Sequence, residues 1–143
     1  MPNTDQDAAL RELLERDAIR ELARRYCHRV WQRDIRVIEL FAADGRFGKA
    51  QGRDELLKFY TAAIDPAGSN PHPYVNNHVV DFQGPDRATG TAYSDIRLDD
   101  NGFRALNVGY WRDEYVRVAG EWKFKSRDYT MSYRVRLAPI DPR

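Results

Sequence analysis

The segment from Tyr26 to Phe47 limits what this chain can fold into more than any other. One helix ends, Asp34 is placed to cap a short second helix, and Phe41-Ala42-Ala43-Asp44-Gly45-Arg46-Phe47 turns into a strand. Upstream of it, Leu10, Leu14, Ile19, Leu22, Tyr26 and Val30 recur at close to the 3.6-residue period, which predicts a long amphipathic helix from Asp7 to about Gln32. Behind the Asp34 cap, Ile35, Ile38 and Phe41 share one face, and Gly45 is placed to end the turn that follows. A strand is expected near Arg46 to Ala50. A third helix carrying Leu56, Leu57, Phe59 and Tyr60 should then start at the acidic pair Asp54-Glu55 and stop before Asp65-Pro66.

Beyond the Pro66–Pro73 loop the chain reads as strands at about 74–82, 87–98, 104–118 and 121–135, separated by turns at Gln83-Gly84-Pro85-Asp86, Asp99-Asp100-Asn101-Gly102 and Ala119-Gly120. Helices followed by a meander of long strands give the α+β class, with antiparallel strands and helices on one face. At 143 residues a single domain over 1–143 is expected. Basic and acidic residues, 23 and 22, are mixed along the chain, which is not the footprint of a nucleic-acid binder. No window approaches the roughly 18 apolar residues of a membrane span. The polar, acidic N-terminus and the lone Cys27 lead to the expectation of a cytoplasmic protein without an intramolecular disulfide.

The order of these elements, together with Ala18-Ile19-Arg20-Glu21-Leu22 and Tyr26, the Asp34–Phe47 segment, Gly109–Tyr115 with Asp113, and Gly120-Glu121-Trp122-Lys123-Phe124 followed by Arg127, resembles the SnoaL-like branch of the nuclear-transport-factor-2-like superfamily over about 17–133. The resemblance implies a curved antiparallel sheet forming a cone-shaped half-barrel closed by N-terminal helices. Within the branch the chain looks most like the small cofactor-free lyases: bile-acid 7α-dehydratase, scytalone dehydratase and hexachlorocyclohexane dehydrochlorinase. These use a histidine base, often oriented by an aspartate. By resemblance, the dehydratase-like tyrosine falls on Tyr26, the dehydrochlorinase-like arginine on Arg127 and a His-x-x-x-Asn pattern on His72 and Asn76, with Asn77 in register if the strand shifts by one residue. The orienting aspartate is replaced by Trp31.

Strand alternation puts His72, Asn76, His78, Val80 and Phe82 on one side, which the last two mark as interior. A neutral imidazole there suits proton transfer without a cofactor; the alternative is that His78 is a hydrogen-bonded sheet histidine and His72 a loop residue. His72 and His78 would lie about 20 Å apart along a regular strand, too far to share a metal. Ala88, Gly90, Ala92 and Ser94 alternate as small residues and, facing inward, would leave volume for a ligand. Asn107, Trp111, Asp113 and Tyr115 share a face suited to an aromatic or polycyclic molecule. Asp113 and Arg127 are placed to pair, and Arg127 reaches the pocket only if a bulge near Ser126 reverses its parity; otherwise it faces an interface.

The resulting expectation is a cofactor-independent lyase or isomerase acting on a small aromatic, polyketide-like or steroid-like substrate. His72 is its base, Tyr26, Asn76 and Arg127 bind or stabilise oxygen, and Trp31, His78, Trp111, Asp113 and Tyr115 line the site. The alternative is a non-catalytic protein resembling the small β-subunits of aromatic-ring-hydroxylating oxygenases. Aromatic and basic residues along 122–136 predict a homo-oligomer, and the resemblance to the dehydratases implies a trimer ahead of a dimer.

Overall fold

The computed structural model describes residues 3–141. Helix α1 (Thr4–Trp31) starts at Asn3, whose side chain accepts from the amides of Asp5 and Gln6. A short 3-10 helix (Ile35–Leu40) follows the Asp34 cap, and α2 spans Gly52–Ala63. The strands are β1 (Phe41–Phe47), β2 (Ala50–Gln51), β3 (His72–Phe82), β4 (Arg87–Asp100), β5 (Phe103–Val118) and β6 (Glu121–Pro139), in the spatial order β2-β1-β6-β5-β4-β3. The four long strands lie close to their expected limits. The hairpins between β4 and β5 and between β5 and β6 turn through two consecutive residues at positive φ, Asn101-Gly102 and Ala119-Gly120, the geometry that matches strand twist.

Two expectations at the start of the chain need correction. The strand after Asp34 begins at Phe41, turns back through Gly48 into β2, and pairs with β6 in parallel rather than antiparallel. The whole chain between them joins β1 to β6, so no tight turn dictates an antiparallel pairing. On α1 the apolar stripe is buried only from Ile19 onward; Leu10 and Leu14 lie on the part of the helix that runs past the sheet and are exposed.

The core fills the concave side of the sheet. Ile19, Leu22, Tyr26 and Val30 from α1, Val37 and Leu40, and Leu56 and Tyr60 from α2 pack against Trp111, Tyr115 and Phe124. Two bulges decide which side chains join them. In β3, Val75 faces Ser94 and His78 faces Ala92, so Asn76 and Asn77 together oppose Tyr93. In β6, Phe124 faces Tyr115 and Ser126 faces Glu114, leaving Lys125 as the extra residue. An extra residue reverses the alternation beyond it. Phe124 and Arg127 therefore both point inward, as the bulge condition on Arg127 required.

Strand β3 forms one edge of the sheet, and α1 lies along it. The Trp31 indole N–H donates to the Pro73 carbonyl at 2.8 Å, and the Arg20 guanidinium donates to the His78 carbonyl from Nε at 3.3 Å and Nη2 at 3.0 Å. None of the described helices is long and apolar enough to cross a membrane.

Candidate active site

Helices α1 and α2 close one end of the sheet over a cavity of about 210 Å³. Tyr26, Val30, Phe47, Tyr60, Ile96 and Trp111 form most of its apolar wall, Pro71 and Pro73 contribute from the β3 side, and Asn107 and Tyr129 bring polar atoms from β5 and β6. No ionised side chain lines it. The Tyr26 and Tyr60 hydroxyls are 2.9 Å apart. Burial pushes the Tyr26 phenol up to about 12, against a lowering by Arg127, and raises Tyr60 as well, so both remain protonated at neutral pH.

Next to the cavity, the same inward face of the sheet is filled by a charged network. Arg127 donates to Asp113 from Nε at 2.8 Å and from Nη2 at 3.0 Å, and both side chains are wholly excluded from solvent. The guanidinium carbon lies 4.1 to 4.4 Å from the ring centroids of Trp111, Phe124 and Tyr26, a cation–π cage on a fully desolvated charge. Asp113 also accepts from the Tyr115 hydroxyl at 2.7 Å, and that hydroxyl lies 2.7 Å from His78 Nε2. With the Tyr115 proton given to Asp113, His78 must donate through Nε2, which leaves Nδ1 as a buried acceptor without a partner. A second proton on that ring would find no acceptor. Burial accordingly pushes the His78 imidazole down to about 4, with Asp113 acting in the opposite direction and Arg127 and Arg20 adding to the fall.

The expected site residues therefore separate. Tyr26 and Trp111 line the cavity. Asp113, Tyr115, His78 and Arg127 form the adjoining network, where Arg127 is roofed by aromatic rings and held by Asp113, away from any ligand in the cavity. His72 and Asn76 do not share the face of His78, because the β3 bulge flips the strand between them. The cavity receives Pro71 and Pro73 while His72 points the other way, its ring centroid 4.1 Å from that of half-exposed Trp31 in a tilted contact. Burial and the nearby Arg33 lower the His72 imidazole. Asn76 is exposed, in a surface cleft that Arg20, Arg24, Val75 and His78 also line, apart from the cavity.

The small residues of β4 are buried as expected, but the space they leave is taken from within. Ala88 lies opposite Tyr115 and Ala92 opposite Trp111, and a Cβ on Gly90 would come within 2.9 Å of the Tyr115 ring. Tyr60 and Tyr129 are cavity residues that strand parity and motif matching did not single out. Tyr129 has the parity of Arg127, so the bulge that turns Arg127 inward carries Tyr129 with it. Among the described residues no three His, Cys, Asp or Glu side chains are grouped to hold a metal ion.

Comparison with known proteins places this geometry. No functionally curated protein matches the sequence. Among solved structures, the hexachlorocyclohexane dehydrochlorinase LinA-type3 from Novosphingobium barchaimii LL02 superposes with a TM-score of 0.80 at 24% identity, covering 92% of this chain and 96% of that one. A scytalone-dehydratase-like protein from Novosphingobium aromaticivorans DSM 12444 gives 0.77 at 21% identity, with 92% and 96% covered. An NTF2-like protein with a cystatin-like fold, also from Novosphingobium aromaticivorans, gives 0.78 at 24%, with 92% and 90% covered. These likenesses establish a shared NTF2-like cone. The family model for the SnoaL-like domain matches residues 11–128, most of the length over which helices, cavity and network are built, and the chain belongs to that family.

Proposed function

We propose that the protein binds a small, neutral, single-ring molecule in the cone cavity. The observation that carries this reading is the lining: a cavity of about 210 Å³ with aromatic walls, a few hydroxyl and amide groups, and no ionised side chain. An apolar cavity of about 150 Å³ accommodates benzene, so this one suits a single ring with a short substituent better than a steroid or polyketide skeleton. Titration with acetophenone, benzoate and a steroid ketone, followed through the NMR resonances of Trp111 and Tyr26, tests it. Saturable shifts are expected with acetophenone alone. Binding of the steroid ketone in preference to acetophenone overturns the size argument.

A cofactor-independent lyase or isomerase reaction is the second reading, favoured by the Tyr26–Tyr60 hydroxyl pair at the cavity wall. Phenols kept protonated by burial can donate to a carbonyl or to a leaving hydroxyl. The expected base, His72, lies outside the wall, so a reaction that survives His72→Ala puts proton transfer on the tyrosines, while loss of turnover with binding intact restores His72 to the mechanism.

The convex face of the sheet supports a homo-oligomer, and the likeness to the dehydratases favours a trimer ahead of a dimer. Tyr93, Tyr133 and Val135 are exposed there around the half-buried Tyr110 and Val108. Light scattering that gives a monomer at micromolar concentration removes this proposal.

A further inference from the structure

One corner of the cavity has polar groups that the protein itself leaves unanswered. It is built around Gly109, where the Tyr129 phenol takes the space of the missing side chain: a Cβ there would lie 2.8 Å from the Tyr129 hydroxyl and 3.0 Å from Cζ. That hydroxyl is buried and has no hydrogen-bond partner among the described residues. Ser94 faces Gly109 across the β4–β5 ladder, and its hydroxyl is likewise buried and unpartnered. Asn107, two residues along β5 on the same face, completes the corner. Its Oδ1 accepts from Arg134 Nε at 2.6 Å, and Arg134 is held in turn by Asp100 at 3.0 Å. With the amide oxygen taken by a cation, the orientation of the group is fixed and its NH₂ is left for the cavity.

A buried hydroxyl without a partner costs about 1–3 kcal/mol of desolvation, so several around one point call for an explanation. These atoms have one property in common. The Asn107 NH₂ can only donate, and the Tyr129 and Ser94 hydroxyls can donate with no acceptor from the protein in reach. The corner is short of an acceptor oxygen.

We propose that Tyr129 and Asn107, with Ser94 behind them, form a carbonyl-recognition corner that selects neutral ring compounds bearing a ketone or similar acceptor oxygen. The ring packs against Tyr26, Tyr60 and Trp111, and the oxygen accepts from the Tyr129 hydroxyl, which has no partner among the described residues, and from the Asn107 amide. This rests on the cavity being the ligand site. Discrimination follows from the same physics: a site built to bond an oxygen rejects the analogue that lacks it, because its buried donors are left unpaired.

The test compares acetophenone with α-methylstyrene, which replaces the carbonyl oxygen by a methylene of nearly the same shape, by calorimetric or NMR titration of the wild type and Tyr129→Phe. The wild type should bind acetophenone about tenfold more tightly, and Tyr129→Phe should lose most of that preference while binding α-methylstyrene as before. Equal binding of the two probes by the wild type overturns the carbonyl corner and leaves the cavity reading standing. A preference that survives unchanged in Tyr129→Phe removes Tyr129 from it. If neither probe binds, the corner falls together with the ring-binding cavity. Tyr129→Phe removes one unpartnered oxygen and adds nothing, so the variant is expected to fold.

Discussion

The inward face of the sheet contains two adjoining regions built from the same strands and opposite in character. In the first, Asp113, Arg127, Tyr115 and His78 are packed tightly, with a charge pair at zero exposure and three rings around the guanidinium, and with Arg127 Nη1 and His78 Nδ1 buried without a partner among the described residues. In the second, Asn107 and Tyr129 line open space, and the buried hydroxyls of Tyr129 and Ser94 have no partner among the same residues. The difference comes from a few positions. Where Gly90 and Ala92 shrink β4, Tyr115 and Trp111 expand from β5 and fill the gap. Where Gly109 shrinks β5, Tyr129 reaches across, and beyond it the cone stays open. A cone of this size can be solid at one end and receptive at the other because inward-facing residues come from every strand, and one glycine decides which neighbour leans over it.

The sharpest way to break the comparison is to empty the solid region. Asp113→Ala strands the Arg127 guanidinium in its aromatic cage, and loss of about 3–5 kcal/mol is expected in urea unfolding, enough to unfold a marginal domain. Charge-neutral replacement of both partners, Asp113→Leu with Arg127→Met, should recover much of that loss. Next comes Gly90→Ala, whose Cβ would meet the Val79 carbonyl at 2.6 Å and the Tyr115 ring at 2.9 Å. Overpacking of this kind should cost about 1–3 kcal/mol by the same measurement and displace the Tyr115–Asp113 hydrogen bond.

A smaller effect separates the regions by pH. His78 titrates near 4 in the folded chain and near 6.5 in the unfolded one. Between those values the unfolded state binds the extra proton, so stability is complete above about 6.5 and falls as pH drops towards 4. The full shift corresponds to about 3 kcal/mol, which the partial exposure of the ring reduces to about 1–2. His78→Gln should flatten unfolding free energy over this window. The exposed Asp34 cap, lowered to about 2 by its hydrogen bonds from Arg36, acts only below the ordinary carboxylate range and does not overlap it. A change of opposite sign is expected in the open region, where Tyr129→Phe should raise the unfolding free energy by about 1 kcal/mol, since the hydroxyl it deletes is desolvated without a partner among the described residues.

Much of this architecture was legible from the chain. Turn chemistry at Asn101-Gly102 and Ala119-Gly120 set the long strands to within a few residues, and the shared face of Asn107, Trp111, Asp113 and Tyr115 is real. The site was harder to read because each bulge is a single extra residue with no compositional mark. The bulge at Asn76-Asn77 separates His72 from His78, and the one at Lys125 brings Arg127 and Tyr129 inside. Small residues on β4 were correctly read as inward, yet only the partners across the ladder show that the space is already taken. The replacement of aspartate by Trp31 did carry a signal, since an indole at that place packs against His72 outside the cavity instead of orienting a base within it.

The two contacts that α1 makes along β3 have a consequence for how copies of the chain can meet. An uncovered edge strand invites another strand to extend the sheet. Here the indole of Trp31 and the guanidinium of Arg20 occupy two of its carbonyls, Pro73 offers no amide, and the bulge at Asn76-Asn77 bends what remains, whereas on the other side of the sheet β1 pairs with β6 only as far as Arg127. Growth by strand addition is therefore blocked along β3, and self-association is left the side chains of the sheet face and the stretch of β6 beyond Arg127, which has β5 on one side only.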